Sequence, residues 1–163
     1  MMTRILALTG AAAFALSGCA TETVVPAPAA VVAAVPATAL TVTTATKPPY
    51  GTYLVDGAGR SLYILEGTQN GAGMDRCSGA CLAVWPPLHA AAPVAAAGVD
   101  ASRLTVMTMH GGPHVTYNGW PVYYYSHDRV RGDTTGENVT DTWGTWHLLS
   151  PSGVPIRPAG AAY

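Results

Sequence analysis

The sequence predicts an all-β fold: a compact antiparallel domain of two pseudo-repeats, built from hairpins in a meander, with a short helical turn around a pair of cysteines. Three observations predict it. From Tyr50 onward, short β-branched and aromatic runs alternate with turns containing Gly and Asn, the texture of hairpins. No segment sustains the apolar spacing of an amphipathic helix over the length such a helix needs. The third is an internal echo at an offset of 60 residues, which lays Gly59, Leu62, Tyr63 and Leu65 over Gly119, Val122, Tyr123 and Tyr125. Each copy is a turn, an aromatic strand, a polar loop and a Trp-containing segment, with Trp85 in the first and Trp143 or Trp146 in the second. Two small β units that cannot each bury a face are expected to pack into one core.

In chain order, residues 1–18 read as a lipoprotein signal peptide. Arg4 is the positive start, and the Ala- and Leu-rich stretch from Ile5 to Leu16 is too short to span a bilayer. Leu16-Ser17-Gly18-Cys19 then has the form of a lipobox: small residues enter a peptidase cleft, and the Cys19 thiol takes the lipid. Several acyl chains on Cys19 give a lasting membrane anchor where one would be marginal. Ala20 follows instead of the Asp that retains lipoproteins at the inner membrane, so an outer-membrane lipoprotein facing the periplasm is expected, for a Gram-negative host.

Residues 19–49 read as the lipidated Cys and an extended tether of Ala, Val, Thr and Pro, in which Pro26, Pro28, Pro36, Pro48 and Pro49 interrupt any helix. The β domain is expected over 50–155 and a C-terminal tail over 156–163. Thr52–Asp56, Ser61–Leu65, Leu104–His110, His114–Tyr117, Trp120–Tyr125 and Trp143–Leu149 are the expected strands. Gly57–Gly59 and Gly111–Pro113 are expected turns, and Asn118-Gly119 suits a two-residue hairpin because both residues tolerate positive φ. Pro121 lacks an amide donor and so suits an edge or a strand start. One or two helical turns fit Cys77 to Val84.

Charge narrows the function classes. Without Arg4 the chain keeps seven basic against nine acidic residues, with no basic run, so nucleic-acid binding lacks the patch it needs. No stretch after the signal is long and apolar enough to read as a membrane span.

Tyr123-Tyr124-Tyr125-Ser126-His127-Asp128 fits a Yx(FWY)xxD pattern. Together with Cys77-Ser78-Gly79-Ala80-Cys81, the following Trp85-Pro86-Pro87, and Tyr117-Asn118-Gly119, it makes the chain from Tyr50 to Gly153 resemble a family of bacterial lipoproteins named for that motif, the secreted repeat of unknown function. The resemblance implies export, lipidation and repeated β units, with no activity to carry over. The first copy departs from the motif, having Leu65 and Thr68 where the motif has an aromatic and an acid, so one motif site is expected.

Physically, strand alternation puts Tyr123 and Tyr125 on one face and Tyr124 on the other. Asp128 near the strand end is placed to accept a tyrosine hydroxyl. Two readings stand: a buried tyrosine pair satisfied by a rim acid, or a platform of Tyr123, Tyr125, Asp128 and Trp85 for a sugar ring or planar ligand.

Cys77 and Cys81 form an even pair once Cys19 is acylated, and their spacing is compatible with a disulfide that fixes the loop presenting Trp85. Met107, Met109, His110 and His114 gather around one expected hairpin, with His89 and His127 elsewhere. Thioether and imidazole suit copper. Met107 and Met109 share a strand face and His110 points the other way, so a single site needs His114 or a turn to unite them. Ser126-His127-Asp128 alternates faces and does not fit a catalytic triad. No phosphate loop, His-Glu-x-x-His or G-x-S-x-G is present. Asp133 and Glu137 read as acids of a solvated turn. The expectation is a membrane-anchored periplasmic lipoprotein without catalysis or cofactor, binding an envelope protein or glycan or serving a structural purpose. The alternative is a copper-binding or thiol-redox protein.

Overall fold

The computed structural model describes residues 39–157. The signal peptide, Cys19, the tether up to residue 38 and the tail from residue 158 lie outside the described residues. Nine strands are described: β1 (Thr41–Lys47), β2 (Gly51–Asp56), β3 (Tyr63–Leu65), β4 (Val94–Ala95), β5 (Leu104–Met109), β6 (Gly112–Tyr117), β7 (Trp120–Pro121), β8 (Thr140–Asp141) and β9 (Gly144–Leu148). One helical turn, α1 (Cys81–Val84), and three 3-10 turns join them. The strands form three small sheets in the orders β2-β1-β4, β3-β9-β8 and β5-β6-β7, with antiparallel pairing throughout except for β1 with β4. The expected class is therefore observed. No helix among the described residues is long and apolar enough to cross a membrane.

The domain starts earlier than the sequence suggests. Part of the expected tether is β1, whose Thr41-Val42-Thr43-Thr44 is a β-branched run with Val42 buried in the core. It pairs with β2 from Val42↔Asp56 to Lys47↔Gly51. Pro48 and Pro49, expected only to interrupt structure, make the turn of this hairpin through a cis peptide, closed by the Tyr50 amide on the Lys47 carbonyl at 2.9 Å. The other end also extends further. Ile156, assigned to the tail, donates its amide to Leu148 at 2.8 Å, and Arg157 pairs with Glu66.

The Asn118-Gly119 turn is observed with φ of 51° and 79°. The preceding turn is displaced by one residue from the expected one. His110 (φ 52°) and Gly111 (φ 80°) make it, and Gly112 and Pro113 belong to β6. The expected strand Trp120–Tyr125 shortens to β7 and an isolated bridge at Tyr123, because the chain there leaves β6 for the other copy.

That departure organises the molecule. Tyr63 and Tyr123, aligned by the internal echo, pair with each other: each amide donates to the other's carbonyl, at 2.8 and 2.9 Å. Around this pair the copies exchange their ends. The Leu54 amide of the first copy donates to Leu149 of the second at 2.9 Å, and the Val115 amide of the second to Leu88 of the first at 2.8 Å. Tyr63 stands opposite Leu148, and Tyr123 opposite Pro87. Each Trp-containing segment thus completes its partner copy, which buries the face neither copy could cover alone.

Alternation then sorts side chains into two cores. Leu54, Ile64, Leu88, Val115, Val122 and Leu149 fill a mainly aliphatic cluster that also takes in Tyr117 and Trp120. Tyr53, Tyr63, Trp85, Tyr123, Trp146 and the two cysteines fill an aromatic one. The central segments carry apolar residues on both faces because they lie between the two clusters.

Candidate functional site

The aromatic core is a stack. Trp85 and Trp146 lie face to face at 4.0 Å and 9°, and Tyr125 covers the other side of Trp85 at 4.2 Å. Tyr63 meets Trp85 edge-on at 5.7 Å, and Tyr123 meets Trp146 edge-on at 5.3 Å, so the pseudo-repeat extends to the side chains. One carboxylate, Asp141, accepts both indole N–H groups, at 2.9 and 3.1 Å. Asp141 is a site residue that sequence reasoning missed, since nothing in its local pattern announces two tryptophans from distant segments.

Cys77 and Cys81 form a disulfide with a Cα separation of 5.1 Å. Both are buried beside the stack, at 1% and 0% exposure. The bridge closes onto α1, and the Trp85 amide caps that turn by donating to Cys81 at 2.7 Å. The expected disulfide is present, at the start of the turn that leads into Trp85.

Asp128 receives a tyrosine hydroxyl, as its position suggests, but from the first copy. Tyr63 donates to Asp128 Oδ2 at 2.7 Å, while Thr135 donates its amide and hydroxyl to Oδ1 at 3.0 and 2.6 Å. Burial first, then the hydrogen bond to Asp128 and after it the Asp128 charge, push the Tyr63 hydroxyl far up from its ordinary value, so it stays protonated and donates. Gly136 closes this arrangement: a Cβ there would stand 2.9 Å from the Tyr63 ring and 3.1 Å from Trp85. Tyr123 is buried in the stack, and its hydroxyl meets His110 Nε2 at 3.1 Å. Of the proposed platform, Tyr125 and Asp128 reach an open cavity, whereas Trp85 and Tyr123 lie beneath it.

That cavity, of about 200 Å³, has Tyr124, Tyr125 and Pro86 as apolar walls and Arg60, Ser61 and Ser126 as polar ones. Arg60 lies 3.9 Å over the Tyr124 ring. Beneath it, Asp56 accepts the amides of Ala58 and Arg60 at 2.9 Å each, the Tyr124 hydroxyl at 2.9 Å and the Arg60 Nε at 2.8 Å. Burial opposes ionisation of Asp56, but these donors and the guanidinium charge outweigh it and hold its pKa below the usual value. The contact of Asp56 and Arg60 with Tyr124 escaped the sequence reading because it joins different copies.

The hairpin β5–β6 gathers imidazoles. The left-handed turn swings His110 back over β6, to 5.3 Å from the His114 ring, and His89 comes in beside His114 at 5.7 Å through a β-bridge. His89, placed elsewhere by its position in sequence, therefore joins the group. His127 stays outside it, 4.9 Å from Tyr125. Met107 is the cross-strand partner of His114 and Met109 that of Gly112, so both thioethers share this face. Burial, and then the neighbouring His110 and His89, pull the His114 pKa down to about 4 against the opposing bond to Val122. As the side chains stand, no three His, Cys, Asp or Glu among the described residues are placed to hold one metal ion.

Asp133 is a turn acid, accepting the amides of Arg129 and Val130 at 2.8 and 2.9 Å. Glu137 corrects its expected solvated role. Its side chain is 2% exposed, contacts His147 at 3.3 Å and accepts the Leu148 amide. Ser126 Oγ lies 3.5 Å from His127 Nδ1, with Asp128 committed to Tyr63 and Thr135.

Residues 104–150 match a family model described as a secreted repeat of unknown function. The matched segment is the second copy, from β5 through β9. No curated protein matches the chain. No solved structure matches it either.

Proposed function

We propose that this chain, whose second copy is a secreted repeat of unknown function, is an envelope lipoprotein carrying a non-catalytic binding module, and that the module takes one sugar-sized ring of an envelope glycan in the Tyr124–Tyr125–Arg60 cavity. The observation that carries this is an open cavity whose aromatic walls are immobilised from behind. Tyr125 rests on Trp85, which rests on Trp146, and Tyr124 is held by Asp56 and Arg60. Aromatic walls with hydroxyl and guanidinium donors around them suit a ring with an apolar face and a polar rim. At about 200 Å³ the cavity is smaller than the ~300–1,000 Å³ of full small-molecule sites, which supports one ring over an oligomer. Placement in the outer membrane through acyl chains on Cys19 belongs to the same reading; its support is the lipobox and the secreted character of the matched family.

The buried disulfide supports a structural role for Cys77 and Cys81 over thiol redox chemistry, because exchange needs an accessible sulfur. The test of the binding reading is a titration of the isotopically labelled chain with N-acetylglucosamine and with solubilised peptidoglycan fragments. Resonances of Arg60, Tyr124, Tyr125 and Ser126 are expected to shift together. Absence of any shift at these residues with both ligands at millimolar concentration would overturn the assignment.

A further inference from the structure

We infer that His89, His110 and His114 form a site for a first-row transition-metal ion, copper before others, with the Met107 thioether beside it. The site is separate from the glycan cavity and does not depend on it.

The argument begins at His114. Its Nε2 lies 2.7 Å from the Val122 carbonyl, which can only accept, so Nε2 carries the proton and Nδ1 presents a lone pair. That Nδ1 is buried and has no hydrogen-bond partner. A buried polar atom left unmet costs about 1–3 kcal/mol and calls for an explanation. An imidazole whose N–H is tied to a backbone carbonyl while its other nitrogen stays free has the second-shell pattern of a metal ligand.

Two further imidazoles flank the His114 ring, His110 at 5.3 Å and His89 at 5.7 Å between ring centroids. His110 reaches its place only through a left-handed backbone, φ 52°, that non-glycine residues adopt uncommonly. The Tyr123 hydroxyl at 3.1 Å then holds its ring. His89 is exposed, and its ring lies over Gly112, whose missing Cβ would stand 3.5 Å away. The three do not share a point as they stand, so metal binding requires side-chain rotation, for which exposed His89 has the most room. Met107, directly across the ladder from His114, adds a soft donor to the same face. Imidazoles with a thioether favour copper, which also heads the affinity order of the divalent ions.

The experiment uses the full chain carrying Cys19→Ser, so that the one thiol outside the disulfide cannot bind metal. The metal-free protein is loaded with CuCl2, desalted, and examined for copper content and for nitrogen hyperfine structure by electron paramagnetic resonance; ZnCl2 is run in parallel. One retained copper with imidazole nitrogen couplings is expected. His89→Gln, a change at an exposed position, is expected to weaken binding by more than the roughly tenfold that losing an outer-shell partner of a ligand costs, and His110→Gln likewise. Near-ultraviolet circular dichroism verifies that each variant is folded. No copper retained, or copper held equally by the folded His89→Gln variant, would overturn the inference.

Discussion

Asp128 joins the motif segment to the other copy, since both its oxygens are occupied, by Tyr63 on one side and Thr135 on the other. Asp128→Asn replaces a charged acceptor that serves three donors and is expected to destabilise by about 1.5–3 kcal/mol in urea melts. A change near zero would remove the acid from the fold's supports. Asp56 offers a pH test. Its folded pKa lies below the ordinary 3.8, so below that pH the unfolded chain binds the extra proton. Its stabilisation is complete above 3.8 and is lost as pH falls through the folded value. The stability gap between wild type and Asp56→Asn should therefore shrink on acidification below pH 3.8 and stay constant above pH 5 or so. Gly136→Ala pushes a methyl against two buried rings and is expected to cost about 1–3 kcal/mol, read as a lowered melting temperature.

Among the elements, α1 is short enough that its stability comes from what ties it down. The Cys77–Cys81 bridge closes a small ring, and the chain-entropy model assigns such a loop about 2 kcal/mol. The Cys77→Ser/Cys81→Ser double variant is expected to lose no more than that and to stay folded. In the wild type, alkylation after mild reductant should add label to the pair only once the chain is unfolded, because both sulfurs lie in the aromatic core. The hairpins were legible where turn chemistry is strong, as at Asn118-Gly119. The strand β1 was not. Its Thr-rich run sits among prolines and small residues, and its large partners lie across the ladder in β2 and in the cluster around Val42. Local composition cannot report a partner strand. The turn at His110–Gly111 was misplaced for a similar reason: three adjacent turn-formers, Gly111, Gly112 and Pro113, outweighed one histidine in a left-handed conformation.

For the whole molecule, the exchange of ends makes the two copies interdependent. Leu54 bonds Leu149, and Val115 bonds Leu88, so each copy's ladder is completed by the other's last segment. Residues 39–99 and 100–157 expressed separately are expected to lack near-ultraviolet dichroism, and the intact chain to unfold with coincident transitions by different probes. The membrane reading has its own test at this scale. Cys19→Ala is expected to abolish palmitate labelling and release the protein from the membrane fraction, with the melting temperature of the β domain unchanged.

Sequence alone determined the class, the duplication and the chemistry at hand. Alternation, turn residues and the cysteine spacing are local signals, and each acts over the few residues that carry it. Tertiary structure alone decided how the copies use one another. Asp128 serves Tyr63, Asp141 serves two tryptophans, Arg60 covers Tyr124, and His89 joins His110 and His114. The physical reason is burial. Each copy has an apolar face it cannot cover by itself, and covering it by exchange brings together residues that no periodicity within either copy relates.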